Sequence, residues 1–353
     1  MPATVKVNAA NTSYDIKIRR GIIEKLGLEV LRINEEIYNE ILLITDEKVS
    51  ALYLDNVIMN FHECPKNEGT KLRICELLID SSEGAKNFHT ISKLLEEMAE
   101  LGLSKQCCVV ALGGGVVCDA AGFAAGCYMG GLKLVLVPTT LAAMIESSVG
   151  KSAFLNLAAG KNLAGMPCTP SLVLCDIESL RTLPPDEYKS GIAEIFKSSI
   201  MCGDELFKIF ERGTVSLNLE KIIGDCIKFR AGFAGSKCLG YEIGNAIESL
   251  SNYEIHHGSA LSEGIEILTK SSAKMGWCSS DTAGRIISAM KKNDLLINHR
   301  SFNADLISHA VLNGSRVSDG VIELAVPAEI GKCEIKSIKS EELEAIIFSG
   351  MSA

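Results

Sequence analysis

Leu112-Gly113-Gly114-Gly115-Val116-Val117-Cys118-Asp119 follows an apolar, β-forming run and opens a helical pattern. Successive glycines let backbone N–H groups approach an anion, and a helix N-terminus adds a positive field, so these residue types suit a pyrophosphate. A tight turn without a ligand uses the same glycines, and the spacing departs from the GxGxxG of an ordinary dinucleotide turn. Both readings stand. Pro138-Thr139-Thr140 closes a second apolar run and sets two hydroxyls at the edge where open α/β sheets bind ligands. Charged and polar groups follow in Glu146-Ser147-Ser148-Val149-Gly150-Lys151, Gly160-Lys161-Asn162, Leu180-Arg181-Thr182-Leu183-Pro184 and Gly191-Ile192-Ala193-Glu194-Ile195-Phe196-Lys197.

In this order and spacing the groups resemble 3-dehydroquinate synthase and its relatives, the sugar phosphate cyclases. Ser13-Tyr14-Asp15-Ile16, Thr45-Asp46-Glu47 and Ser82-Glu83-Gly84-Ala85-Lys86 are similar to that family too. The resemblance covers nearly the whole chain. It implies an N-terminal α/β domain with a mainly parallel sheet that binds NAD, a mostly helical C-terminal domain, and a site in the cleft. It also implies a homodimer and a place in the shikimate route to aromatic amino acids. The implied reaction transfers a hydride transiently to NAD and eliminates phosphate from a sugar phosphate of the 3-deoxy-arabino-heptulosonate 7-phosphate type. It then returns the hydride and closes a carbocycle. A divalent metal, zinc or cobalt, would polarise the reacting oxygen. Position by position, the resemblance implies cofactor residues at Asp46, Glu83, Lys86, Gly114, Gly115, Asp119, Thr139, Thr140, Lys161 and Thr182. Carboxylates would serve ribose hydroxyls; glycines and threonines would serve phosphates. Lys197, Asn162, Glu146 and Lys151 are its catalytic or substrate-side candidates, and Glu194 and His257 its metal ligands.

The chain leaves the family pattern in the metal and substrate half. Where the family reads GHTxGHA, with one metal-binding and one substrate-contacting histidine, this chain reads Gly240-Tyr241-Glu242-Ile243-Gly244-Asn245-Ala246. Zinc takes about three protein ligands plus an open position, so Tyr241, Glu242 and His256 are the candidate substitutes. The family's HGE is His257-Gly258-Ser259, and its GGK is Gly150-Lys151-Ser152, with the lysine one place early. Its Asp before Ser-Ser is Glu146, a family arginine is Gly130, and Gly314-Ser315-Arg316 stands where Asp-Lys-Lys is expected. The segment 228–239 is short and lacks an Arg and an Asn that contact substrate. Each lost charge-assisted contact costs a phosphorylated sugar acid about 1.5–3 kcal/mol of binding. The alternatives to a 3-dehydroquinate synthase-like reaction are an NAD-binding homologue without cyclase activity, an NAD-dependent polyol or sugar-phosphate dehydrogenase, and another sugar phosphate cyclase.

These residues need elements to position them. Strand patterns at 41–45, 76–80, 107–112, 134–137 and 172–176 alternate with helical ones, such as 90–103, which predicts a parallel sheet covered on both faces. Beyond Leu183-Pro184-Pro185 helical patterns dominate (192–200, 205–211, 219–229, 243–250, 260–274), with one β-rich patch at 320–326. The predicted class is α/β plus α, with domains at 1–183 and 184–353. The stretch 107–137 carries only Asp119 and Lys133 as charges, yet its glycines favour a buried strand, a turn and a helix over a membrane span. With 35 Lys+Arg against 44 Asp+Glu, a net charge of −9 disfavours nucleic acid and anionic membranes as partners. Thirteen cysteines, an odd count without CxxC pairs, and an N-terminus without a signal-type apolar core point to the reducing cytoplasm. Cys107, Cys108, Cys118, Cys127 and Cys175 are expected to pack as small core residues.

Overall fold

The structure is a computed structural model that describes residues 3–9, 12–31, 33, 38–64, 72–233, 238–296, 302–314 and 317–352. The chain divides into two compact units, Met1–Leu157 with Ala164–Pro184, and Ala158–Leu163 with Pro185–Ala353.

The first unit is built on strands β1 (Ala3–Ala9), β2 (Thr12–Arg19), β3 (Glu40–Asp46), β4 (Arg73–Ile79), β5 (Cys107–Gly113), β6 (Lys133–Pro138), β7 (Ser152–Leu157) and β9 (Leu172–Asp176), together with the end of β8 (Gly160–Pro167), whose residues up to Leu163 belong to the second unit. Seven of them form one sheet in the order β1-β2-β9-β6-β5-β3-β4, parallel throughout except for the β1–β2 pair. All seven residues of β5 are buried, as a strand covered on both faces requires. Leu26, Val30, Leu43, Val57, Phe61 and Val110 belong to the core on one face. The helix expected at 90–103 runs Phe88–Glu100, because Asn87 caps it by accepting from the Thr90 N–H. Among the described residues no helix is long and apolar enough to cross a membrane, and the apolar stretch at 107–137 resolves into β5, the Gly115–Cys127 helix and β6.

Two corrections concern this unit. The β1–β2 hairpin lay outside the strands read from sequence, because polar residues interleave with its buried Val5, Val7, Tyr14, Ile16 and Ile18. Cys127, expected in the core, is exposed at the end of its helix, with Sγ 3.7 Å from Met166 Sδ. Cys107, Cys108, Cys118 and Cys175 are buried, and all thirteen cysteines are free thiols.

The second unit contains the helices Pro185–Cys202, Asp204–Arg212, Leu219–Gly232, Tyr241–Leu250, His257–Lys274, Ser280–Lys292, Ala304–Gly314 and Ser340–Met351. Its hairpin, β10 (Val321–Glu329) and β11 (Lys332–Lys339), extends the β-rich patch with a partner strand. Glycines set the helix spacing. A Cβ on Gly258 would lie 2.2 Å from Ser190 Cα, and one on Gly264 2.4 Å from the Gly240 carbonyl oxygen. Only at such backbone-to-backbone distances do Pro185–Cys202, Tyr241–Leu250 and His257–Lys274 bring their polar side chains together.

Candidate active site

In the first unit, five parallel strands deliver the predicted cofactor residues past their C-terminal ends. Asp46 closes β3, Glu83 and Lys86 follow β4, Gly114 and Gly115 follow β5, Thr139 and Thr140 follow β6, and Thr182 follows β9. Adjacent strands β3 and β5 send the chain in opposite directions, toward β4 and β6. That divergence opens the crevice in which open α/β sheets hold ligands. Gly114 caps the Gly115–Cys127 helix without a side chain, so the first-turn N–H groups suit a phosphate. A Cβ on Gly113 would stand 2.6 Å from Val117 Cγ2, too close to be accommodated in place, and one on Gly114 would make a tight 3.1 Å contact with Thr140 Cγ2. The cradle fits a dinucleotide pyrophosphate.

Beside this turn Lys86 is buried and pairs with Asp119 at 2.5 Å, with Glu83 Oε1 at 3.7 Å. Asn156 Nδ2 donates to Glu83 Oε1 at 2.9 Å, and the Phe154 N–H donates to Asp119 Oδ1 at 3.2 Å. Asn156 was not singled out in the sequence; its signal was one amide inside the apolar strand β7. Two predicted ligands also hold local structure. Asp46 Oδ1 accepts from the Lys48 and Val49 N–H groups, and Thr140 Oγ1 accepts from the Ala143 N–H. Thr139 is buried, and Thr182 Oγ1 lies 2.7 Å from the Tyr53 hydroxyl. Glu146 is half-buried at the turn before Ser147, and Lys151 is exposed at the entry to β7.

In the second unit, Glu194 and Lys197 sit one turn apart on Pro185–Cys202 and are both fully buried, with Nζ 2.5 Å from Oε2. His257, at the start of its helix, places Nε2 2.7 Å from Glu194 Oε1 and Nδ1 2.8 Å from Glu248 Oε1. Lys161 Nζ completes the row 2.6 Å from Glu248 Oε2. Tyr241 donates its hydroxyl proton to Glu194 Oε1 at 2.9 Å and accepts from Lys197 Nζ at 2.8 Å. The Lys197 ammonium also lies over the Tyr241 ring, 4.0 Å from its centroid.

Charge alternates along the row Lys197, Glu194, His257, Glu248, Lys161. Burial opposes the charged form of His257, and so does Lys161. The Glu248 charge and the hydrogen bonds to Glu194 and Glu248 outweigh both and raise the ring to about 9. Burial likewise opposes ionised Glu248, but the charges of His257 and Lys161 hold it down to about 2.

Glu248 was missed in the sequence, where it reads as one acid in an apolar helix. The available signal was its position seven residues after Tyr241, two turns along the same helix face. Lys161, predicted among the cofactor residues, has its ammonium committed to Glu248 within the second unit, because a buried carboxylate demands a cation. Asn162, beside it, is exposed with φ 57, a left-handed conformation that asparagine tolerates. Of the proposed substitute ligands, Tyr241 reaches Glu194, whereas His256 pairs with Glu187 at 3.5 Å. Among the described residues no group of three or more His, Cys, Asp or Glu side chains is arranged to hold a metal ion. The residues present do not fit a three-ligand zinc site.

Family models described as 3-dehydroquinate synthase N-terminal and 3-dehydroquinate synthase C-terminal match residues 76–190 and 238–316. The 3-dehydroquinate synthase of Prochlorococcus marinus is 30% identical over 364 residues, spanning 98% of this chain and 99% of that protein. The 3-dehydroquinate synthase of Desulforamulus reducens is 32% identical over 365 residues, spanning 98% and 99%. Among solved structures, 2-deoxy-scyllo-inosose synthase complexed with carbaglucose-6-phosphate, NAD+ and Co2+ shares the fold with a TM-score of 0.85 at 22% identity, covering 99% of this chain and 100% of that one. ValA, a 2-epi-5-epi-valiolone synthase from Streptomyces hygroscopicus with NAD+ and Zn2+ bound, has a TM-score of 0.83 at 22% identity, covering 97% and 98%.

Proposed function

The chain belongs to the 3-dehydroquinate synthase family, and we propose that it is an NAD-dependent cyclase that eliminates phosphate from a sugar phosphate of the 3-deoxy-arabino-heptulosonate 7-phosphate type. One observation carries this reading. The glycine cradle and the Glu83–Lys86–Asp119 group stand together at one edge of the first unit's sheet, while Glu194, Lys197 and His257 are in bonding contact within the second. A chain that had lost its chemistry would have little reason to bury a lysine and a glutamate without exposure.

Bound NAD supplies a hydride acceptor that returns what it takes. In this reading the N–H groups after Gly114 and Gly115 hold its pyrophosphate, with Thr139 and Thr140 alongside. Asp46 and Glu83 accept from ribose hydroxyls, and Lys86, Asp119 and Thr182 fix the edges of the pocket. Lys197, on Glu194, and Asn162 are the substrate-side candidates, while Lys161, a cofactor candidate by resemblance, keeps its ammonium on Glu248. Glu146 and Lys151 complete the candidate set. The reading includes a cytoplasmic homodimer in the route to aromatic amino acids: thirteen free thiols suit a reducing compartment, and two-fold symmetric dimers are the commonest assembly.

The test is inorganic phosphate release from 3-deoxy-arabino-heptulosonate 7-phosphate in the presence of NAD, with NADH absorbance followed in parallel. Phosphate release without NADH accumulation is the expected result, because a cyclase recycles its cofactor. Sustained NADH formation from simple polyols, with no phosphate release, would overturn it in favour of a dehydrogenase.

A further inference from the structure

We propose that the second unit does without a divalent ion at Glu194: the Lys197 ammonium is the fixed cation there, and the Tyr241 hydroxyl occupies the position a third metal ligand would need. Glu194 is fully buried, and a buried carboxylate must be neutralised by a cation or a metal. Lys197 already does this at 2.5 Å from Oε2, and it is itself fully buried. The ammonium is held from two further directions, by the Tyr241 oxygen at 2.8 Å and by the face of the Tyr241 ring at 4.0 Å.

The other oxygen of Glu194 is equally engaged. Oε1 accepts the Tyr241 hydroxyl at 2.9 Å and lies 2.7 Å from His257 Nε2, while His257 Nδ1 faces Glu248 at 2.8 Å. These bonds bring an ammonium, a phenol and an imidazole to Glu194. Of these, the imidazole is the one ordinary zinc ligand; a neutral phenol must shed its proton to become a useful one. One turn beyond Tyr241 the helix offers Asn245, an amide with little affinity for zinc. Among these groups a divalent ion seated on Glu194 would find two good protein donors, Glu194 itself and His257, and would face the Lys197 ammonium across the same carboxylate.

The inference goes beyond the proposed activity, because metal content can be read whatever the substrate proves to be. The experiment is elemental analysis of the purified full-length protein, with calorimetric titration by zinc and the visible spectrum after cobalt addition. The wild type is expected to retain no zinc or cobalt after dialysis, and its melting temperature to be unmoved by EDTA. Tyr241→His supplies the missing donor, so this variant is expected to take up near-stoichiometric zinc and to show the absorption of tetrahedral cobalt. Adding Glu194→Gln should abolish both signals. Stoichiometric metal in the wild type, lost in His257→Ala, would overturn the proposal. A Tyr241→His protein that folds by circular dichroism yet binds no metal would overturn the placement of Tyr241. The wild-type measurement stands alone should that variant fail to fold.

Discussion

His257 stands between two carboxylates, and its protonation links the second unit's stability to pH. Its folded value, about 9, lies above the ordinary 6.5, so its contribution is complete below pH 6.5 and is lost as pH rises through 9. Glu248 behaves in the opposite sense. Held at about 2 against an ordinary 4.5, it contributes fully above pH 4.5, and the contribution disappears as pH falls through 2. The melting temperature should therefore decline from neutral toward pH 10. Lys161, Lys197, Tyr241 and Glu194 face the same cluster, so the comparison needs a variant aimed at one partner. Glu248→Gln should flatten the alkaline decline and destabilise the protein by about 3–5 kcal/mol at neutral pH, since it leaves a largely buried lysine and a half-buried histidine without their carboxylate. Thermal melts across pH, run on both proteins, decide it; identical slopes would remove His257 as the source.

Elements hold this cluster through glycine. The helices Pro185–Cys202 and His257–Lys274 meet at Gly258, where a methyl group would fall 2.2 Å from Ser190 Cα. Backbone cannot yield as a flexible side chain does, so Gly258→Ala must part the two helices and stretch the Glu194–His257 bond. The cost should reach at least the ~1–3 kcal/mol of ordinary overpacking, and the alkaline decline tied to His257 should weaken with it. Gly84→Ala is the matched control, because nothing lies within 4 Å of a Cβ there. Chemical denaturation of the two variants, with equal losses for both, would show that Gly258 does not set the helix spacing. The β5 turn follows the same logic on the first unit's side, where a Cβ on Gly113 would crowd Val117. Its glycines were legible in the sequence because a positive field and a tight turn are local properties.

Across the whole molecule, cysteine chemistry gives a direct check. All thirteen thiols are free, so thiol titration of the unfolded protein should count thirteen without prior reduction, and a lower count would reveal a disulfide. Much of the fold was readable before any coordinates. Strands β3, β5, β6 and β9 are unbroken apolar runs, and β4 follows them with a polar interruption; their alternation with helices leaves few arrangements other than a parallel sheet. The β1–β2 hairpin escaped that reading, since half of its residues face solvent. Cys127 escaped it as well, because composition cannot say which turn of an apolar helix reaches the surface.

Sequence alone thus determined the α/β-then-helical order, the glycine turn with Asp119 behind it, and the candidacy of Glu194, Lys197 and His257. The first two rest on periodicity and backbone freedom; the candidacy of the three residues rests on the resemblance of their motifs to those of the family. Tertiary structure alone decided the strand order that opens a crevice between β3 and β5, and the partners of the buried charges. Lys161 and Glu248 are 87 residues apart in the chain, and Tyr241 reaches Glu194 across 47. No local pattern specifies such pairs, because a buried charge selects its partner by the geometry of the packed helices around it.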